Sequence, residues 1–121
     1  MDIRFSADHE WIAIDGDTAR VGITDHAQSL LGDIVFVELP SVGREVARGV
    51  AVSTVESVKA ASDVYAPLTG TIIEVNSLAV EDPSVVNSDP MGAGWLFSIR
   101  FREPSELINL LSEVDYQRLS K

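Results

Sequence analysis

The stretch Glu56–Asp63, which reads ESVKAASD, places Lys59 between two segments that both have the composition of strands. The preceding segment, Val50–Val58, is rich in valine with serine and threonine between, and Asp63–Pro67 resumes an extended conformation ahead of a proline. A short segment between two strands must turn, so its central side chain points away from both. We therefore predict a β-hairpin that displays Lys59 at its tip.

Lys59 is unusual in this chain because almost every other basic residue is arginine. Seven of the nine basic residues are arginines, and the second lysine is the C-terminal Lys121. One interpretation is a solvated charge on a helical turn with Glu56, contributing about 0.2 to 0.5 kcal/mol. The alternative is acylation, because a lysine amine can lose its proton and attack an activated carboxyl whereas a guanidinium stays protonated. The resulting amide would remove a charge and tether an apolar arm.

Alternating and β-branched runs outside this hairpin predict further short strands. Over Trp95–Arg102 the odd positions are all apolar and three of the four even positions are polar, which is typical of a half-buried strand. The pair Asp15-Gly16 is typical of a tight hairpin turn. These strands predict a mainly β fold, a sandwich or flattened barrel of two sheets. The other predicted strands are Glu10–Ile14, Thr18–Ile23, Ile34–Leu39, Val50–Val55 and Thr71–Val75.

The predicted helices are short and peripheral. Thr24 or Asp25 can cap a helix that stops at Gly32. In the C-terminal part of the chain, Ser105 is predicted to cap one helix and Ser112 a second. The helices therefore decorate the β fold rather than form its core.

Length and composition bound the classes of function. The chain of 121 residues fits one domain, residues 1–121 with a helical tail from about 104 to 121, which buries about two thirds of its unfolded surface. Its net charge of -10 repels phosphates and anionic lipids, so we expect no nucleic acid or membrane partner and favour basic partner surfaces. Because it has no cysteine, any sulfur chemistry must arrive on a cofactor.

The N-terminal residues, MDIRFSADHEW, lack a basic segment followed by an apolar one. No apolar run approaches the roughly 20 residues that span a bilayer. We therefore expect a bacterial cytoplasmic protein. A processed organellar chain with an added start methionine would have the same features.

Six collinear blocks carry a resemblance over nearly the whole chain. They are HEW at 9–11, GITDHAQ at 22–28, LGDIVFVELP at 31–40, VESVKAASD at 55–63, GTIIEVN at 70–76 and NSDPMGAGW at 87–95. Together they resemble the H-protein family of the glycine cleavage system. The resemblance implies a barrel-sandwich hybrid of two β-sheets, of the lipoyl and biotinyl carrier type, with short peripheral helices and a C-terminal helical extension.

The resemblance also implies a function. Lys59 would carry lipoic acid through an amide bond, and the chain would be a monomeric carrier rather than an enzyme. The lipoyl arm would accept the aminomethyl group from the glycine decarboxylase P protein and present it to the aminomethyltransferase T protein. The dihydrolipoyl dehydrogenase L protein would then reoxidise the arm, and separate lipoylating enzymes would attach it.

Four further site residues follow from the same resemblance. Glu10 and Asp63 would hold the aminomethyl arm. The alternative for each is a solvated carboxylate at a strand end or turn with no role in binding. Glu56, three residues before Lys59, and Gly70, eleven after it, would be read by the lipoylating enzymes. The alternative for Glu56 is a surface charge that contributes only to solubility. The alternative for Gly70 is a glycine that is needed only for its turn.

The two histidines, His9 and His26, lie in matching blocks, but we interpret them as structural and predict no metal site. We also predict no catalytic residue. The chain departs from the family pattern at Met91, where tyrosine is common, and at Leu30, where some members have histidine near the groove of the arm. The polar lining of that groove is therefore expected to be thinner than usual.

Other functions remain open at this point. A lipoyl domain of a 2-oxo acid dehydrogenase, or a donor of lipoyl groups to such complexes, would also carry an exposed lysine. A biotin carrier usually flanks that lysine with methionines, whereas Val58 and Ala60 flank it here. A Schiff-base enzyme would need a desolvated amine. An unmodified binding module would act through its acidic surface alone.

Overall fold

A computed structural model describes residues 2–119 of the chain. Over this range the chain forms nine strands, four short α-helices and one 3-10 helix. None of these helices is long and apolar enough to cross a membrane. The strands are β1 Asp2–Phe5, β2 Glu10–Asp15, β3 Thr18–Ile23, β4 Ile34–Glu38, β5 Glu45–Val46, β6 Ala51–Ser57, β7 Ala61–Tyr65, β8 Gly70–Val75 and β9 Phe97–Phe101. The helices are α1 Asp25–Leu31, α2 Ser77–Glu81, α3 Ser84–Ser88, the 3-10 helix Pro104–Asn109 and α4 Glu113–Leu119.

The strands make two antiparallel sheets, as the sequence predicts. The larger sheet has six strands in the order β1-β2-β3-β9-β8-β5, and the smaller has three in the order β4-β6-β7. All the strand pairs are antiparallel. The expected fold class, a mainly β sandwich with short helices and a C-terminal helix, is confirmed.

The core lies between the two sheets, because one face of each sheet is apolar. On the larger sheet Ile12, Val21 and Ile99 are fully buried, and on the smaller sheet Val37 and Val55 pack against them in one cluster. Burying a side chain of this kind contributes about 1.5 to 3 kcal/mol. Along each strand of the small sheet, side chains therefore point either inward to the core or outward to solvent.

Two predicted turns appear where the sequence places them. Gly16, between β2 and β3, has a φ of +62°, the left-handed conformation that such a hairpin requires. Thr24, rather than Asp25, caps α1, because its hydroxyl accepts a hydrogen bond from the backbone N–H of Ala27 at 3.2 Å. The helix ends at Gly32, as expected.

The C-terminal region differs from the prediction in one cap. The prediction that Ser105 caps a helix is wrong, because the 3-10 helix begins at Pro104 and places Ser105 inside its first turn. Proline suits that position because its φ is already helical and no N–H is lost. Ser112 does cap α4, accepting a hydrogen bond from the N–H of Asp115 at 3.2 Å. Residues 120 and 121 of the predicted tail lie outside the described range.

A second, smaller cluster attaches this tail to the larger sheet. The ring of Tyr116 from α4 stacks on Phe5 from β1, with 4.7 Å between centroids. Trp11 and Ala13 of β2 complete the cluster. The tail thus covers the edge of the larger sheet at β1, and it leaves the Lys59 hairpin on the smaller sheet uncovered.

Candidate functional site

The predicted hairpin is present between β6 and β7, and Ser57 holds its turn. The backbone N–H of Ser57 donates to the carbonyl of Ala60 at 2.7 Å, and its hydroxyl accepts from the N–H of Ala60 at 3.0 Å. The N–H of Val58 donates to the carbonyl of Asp33 at 3.1 Å, which ties the turn to the segment before β4. The tip is therefore fixed by hydrogen bonds on two sides.

Lys59 lies at this tip with its side chain exposed. A Cβ built on Gly32 would lie 3.5 Å from its Cε, so the lysine stem passes over the end of α1. Within residues 2–119 no carboxylate lies within ion-pair distance of its ammonium group. The amine is therefore accessible to a reagent from solvent, and binding such a reagent breaks no salt bridge.

Glu10, by contrast, is a buried carboxyl group with only 2% of its surface exposed. Its Oε2 accepts a hydrogen bond from the backbone N–H of Tyr65 at 2.7 Å, and its Oε1 accepts one from the Ser6 hydroxyl at 2.8 Å. Burial raises the pKa of Glu10 to about 7, although both hydrogen bonds favour the charged form. Near neutral pH this carboxyl can therefore gain or lose a proton in response to a nearby charge.

A cavity of about 190 Å³ opens beside Glu10. Its wall contains both carboxylate and guanidinium groups, from Glu10, Asp8 and Arg48, together with the backbone around Tyr65. A separate cavity of about 460 Å³ lies on the outer side of the larger sheet and contacts none of the predicted site residues. The smaller cavity is therefore the one related to the predicted site.

Strand β7 connects this cavity to the lysine. Asp63 lies on β7, four residues after Lys59, with its carboxylate exposed and accepting a hydrogen bond from the Thr54 hydroxyl at 3.3 Å. Tyr65, whose N–H binds Glu10, lies two residues further along the same strand. Asp63 therefore lies between Lys59 and Tyr65 along the edge strand of the small sheet, and Glu10, from β2 of the larger sheet, reaches that strand at Tyr65.

Glu56 and Gly70 are not brought together. Glu56 is exposed on β6, directly across from Phe36 of β4 and Ala61 of β7. Gly70 is buried in the larger sheet, where an added Cβ would lie 2.1 Å from the carbonyl oxygen of Arg100. The close approach of β8 and β9 thus gives a packing reason for glycine, and its proposed reading by a lipoylating enzyme stays a prediction.

The two histidines lie at the base of the tail. His9 Nδ1 and the Tyr116 hydroxyl are 2.8 Å apart, and the centroids of the His9 and His26 rings are 4.8 Å apart. Burial and the charge on His26 lower the pKa of His9. In the described part of the chain, no group of three or more His, Cys, Asp or Glu side chains is placed to hold a metal ion.

The two departures from the family pattern lie away from the Glu10 cavity. Leu30 is exposed in the last turn of α1, and Met91 lines the larger cavity. Neither contributes to the wall beside Glu10, and the expectation of a thinner polar lining along the arm stays a prediction. Sequence reasoning also missed two polar residues of this cavity. Ser6 donates to Glu10 from only four residues earlier, and Arg48 comes from a segment distant in the sequence, but neither belongs to a motif quoted above.

A lysine displayed on the hairpin of a two-sheet β domain defines the class of lipoyl and biotinyl carriers. Within that class, residues 3–121 match the family described as Glycine cleavage H-protein. The chain therefore belongs to the glycine cleavage H-protein family.

Individual relatives agree with this assignment. A glycine cleavage system H protein of Carboxydothermus hydrogenoformans is 51% identical over 118 residues, covering 98% of this chain and 91% of the relative. One from Bradyrhizobium diazoefficiens is 53% identical over 113 residues, covering 93% of each. The crystal structure of a glycine cleavage system H protein from Mycobacterium marinum superposes with a TM-score of 0.85 at 44% identity, covering 97% of this chain and 94% of that one.

Proposed function

We propose that this protein carries lipoic acid, amide-linked to the Nζ of Lys59, and shuttles the aminomethyl group of glycine. It receives this group from the P protein, delivers it to the T protein, and is reoxidised by the L protein. The protein acts as a travelling substrate of these enzymes and not as a catalyst. The observation that supports this most is the exposed amine of Lys59 on a fixed hairpin, in a chain of the H-protein family.

The residues around Lys59 fit an acyl arm. Acylation removes the charge of the amine, and no salt bridge within residues 2–119 is lost with it. Val58, the residue before Lys59, is an exposed apolar side chain that can offer a contact to the arm. When bound, the lipoyl group would supply the sulfur that accepts the aminomethyl group, because the chain itself has no cysteine.

Glu10 and Asp63 are proposed to hold the positively charged end of the cargo. Asp63 lies on β7, Glu10 of β2 binds the same strand at Tyr65, and the cavity beside Glu10 excludes part of the solvent. A cation beside Glu10 favours its ionised form, so the carboxyl would release its proton as the cargo arrives. The cavity thereby shields the cargo from water.

The required strength of this docking is modest. Keeping about 99% of the arm sheltered needs roughly 2.7 kcal/mol, or two factors of ten. One hydrogen bond to a charged group contributes about 1.5 to 3 kcal/mol. The single buried carboxylate of Glu10 is therefore sufficient, and much tighter binding would slow the handover to the next enzyme.

The proposal is tested by pairing the wild type with Lys59→Arg. Both proteins are purified from lipoate-fed cells, their intact masses are measured, and each is assayed for exchange of the glycine carboxyl with bicarbonate by a P protein. The wild type should gain the mass of one lipoyl group and support exchange, whereas Lys59→Arg should do neither. A Lys59→Arg protein that supports exchange at the wild-type rate would exclude the proposal.

The Schiff-base alternative is disfavoured by the surroundings of Lys59. Such an amine works in a desolvated pocket. Lys59 is exposed, and neither cavity described above includes it in its wall. Donation of lipoyl groups to other complexes remains compatible with an exposed arm, and the same lipoylated protein incubated with an unlipoylated 2-oxo acid dehydrogenase domain would test it by transfer of mass.

A further inference from the structure

The solvent-facing side of the small sheet carries an exposed aromatic ring next to the Lys59 hairpin. Phe36 of β4 stands directly across from Glu56 of β6, which in turn stands across from Ala61 of β7. These three residues form the last complete row of the sheet before the turn that presents Lys59. Phe36 leaves 48% of its surface exposed, whereas its neighbour in sequence, Val37, is buried in the core.

Three carboxylates share the face of the sheet that carries this ring. The next row on the same face of the sheet, two residues further along each strand, consists of Glu38, Thr54 and Asp63, again directly across from one another. We call the two rows together the outer face, defined by Phe36, Glu38, Thr54, Glu56, Ala61 and Asp63. Its three carboxylates crowd like charges on one small surface.

No arginine in residues 2–119 compensates these charges. The ion pairs of the described chain use Asp2, Asp17, Glu45, Glu74 and Glu106, all outside the outer face. Clustered like charges without partners destabilise the isolated domain slightly, and an exposed phenylalanine adds no stability in water. Both features become favourable only when a basic surface with an apolar recess covers them.

We propose that the outer face is the docking surface for the enzyme that acylates Lys59, with Phe36 as its apolar anchor and Glu38 as a charged contact. This inference rests on the proposed function, since it assumes that Lys59 is acylated. The surface of the partner is basic, with lysine and arginine side chains around a recess that receives the ring of Phe36.

The position of the face favours the acylating enzyme over the enzymes that act on the finished arm. Acyl transfer requires the amine to lie about 3 to 3.5 Å from the acyl carbon, so the enzyme must bind the domain close to the amine itself. The Phe36 row adjoins the hairpin and has a fixed geometry relative to Lys59. Enzymes that act on the sulfur atoms meet the far end of a flexible arm instead.

The reaction at this interface is a simple acyl transfer from an acyl adenylate. The neutral Lys59 amine attacks the carbonyl carbon of the lipoyl adenylate, a C–N bond forms, and the C–O bond to the phosphate of AMP breaks. AMP leaves with the electron pair, and the amine loses its second proton to solvent. The carrier contributes the amine and the docking surface.

The test measures acylation of the whole protein by a purified lipoate–protein ligase with lipoate and ATP. Phe36→Ala should lower kcat/KM roughly tenfold, mainly through KM, as expected for an anchor residue. Glu38→Lys should lower it by a similar factor and weaken its dependence on salt concentration. Ile108→Ala, at an exposed apolar site in the tail, and Glu103→Lys, with the same charge change there, should stay within about twofold of wild type.

Urea unfolding of all four variants separates a docking defect from misfolding. The inference is supported only if Phe36→Ala and Glu38→Lys are folded and are still acylated slowly by the ligase. Wild-type rates for folded Phe36→Ala and Glu38→Lys would overturn it. A Phe36→Ala protein that is acylated normally but slows the P-protein reaction would also overturn it, since the face would then serve another partner. Failure of the wild type to be acylated at Lys59 would instead reject the proposed function.

Discussion

Glu10 provides a quantitative prediction, because its carboxyl is buried and neutral in the folded chain at mildly acidic pH. Burial raises its pKa from 4.5 to about 7. Between these values the folded chain holds a proton that the unfolded chain has already released. The free energy of unfolding contributed by this group therefore falls as pH rises through this interval.

The size of the effect follows from the interval. A difference of one pH unit corresponds to about 1.4 kcal/mol, so the range from 4.5 to about 7 gives roughly 3 kcal/mol. Glu10→Gln should remove this dependence, because the amide stays neutral. Its oxygen can still accept from the Tyr65 N–H, and its NH₂ group can donate to the Ser6 hydroxyl.

The assay is urea unfolding of both proteins at pH values from 4 to 8.5, with linear extrapolation to water. The stability of Glu10→Gln relative to wild type should rise by roughly 3 kcal/mol across this range. Glu45→Gln is the matched control: hydrogen bonds from Thr71 and Arg102 lower the pKa of this exposed residue, so its contribution has the opposite sign and is lost as pH falls. A difference between Glu10→Gln and wild type that is constant with pH would refute the reasoning.

Three more outcomes are expected. In the lipoylated protein, Glu10→Gln should leave attachment intact and speed release of formaldehyde and ammonia from the loaded carrier in the absence of T protein; equal decay rates would argue against Glu10 as the docking group. Gly70→Ala should lower the free energy of unfolding by about 3 kcal/mol or more, since the methyl group would overlap the Arg100 carbonyl, and an unchanged urea midpoint would contradict this packing role. Tyr116→Phe should lower the free energy of unfolding by about 1 to 2 kcal/mol, because the Tyr116 hydroxyl is hydrogen-bonded to His9 and Thr24. A melting temperature equal to that of the wild type would show that those hydrogen bonds do not stabilise the fold.

Local sequence patterns predict much of this fold because they reflect local physics. The Asp15-Gly16 turn needs a positive φ that glycine supplies, and the extended segments on either side of Lys59 are close enough in the sequence to pair as a hairpin. The prediction was less accurate where two local signals compete. Ser105 looks like a cap, but Pro104 before it already has helical geometry and starts the 3-10 helix.

Long-range features of the site could not be read from the sequence in the same way. The block HEW gives no sign that Glu10 is buried, because the groups that bind it come from Ser6 and from the backbone of Tyr65, 55 residues away. The two-residue strand β5 has no alternating pattern of its own and forms only because β8 offers it a partner. Such features depend on which sheet edges meet, and only the folded chain decides that.

The central claim is that Lys59 is the lipoylated residue, and peptide mapping tests it most directly. The protein is incubated with lipoate–protein ligase, lipoate and ATP, and then digested with trypsin, which cleaves after arginine and unmodified lysine. We expect an uncut peptide of residues 49–100 that carries one lipoyl group, with fragmentation placing the added mass on Lys59. Complete cleavage into residues 49–59 and 60–100, with no lipoyl mass on either peptide, would contradict the account.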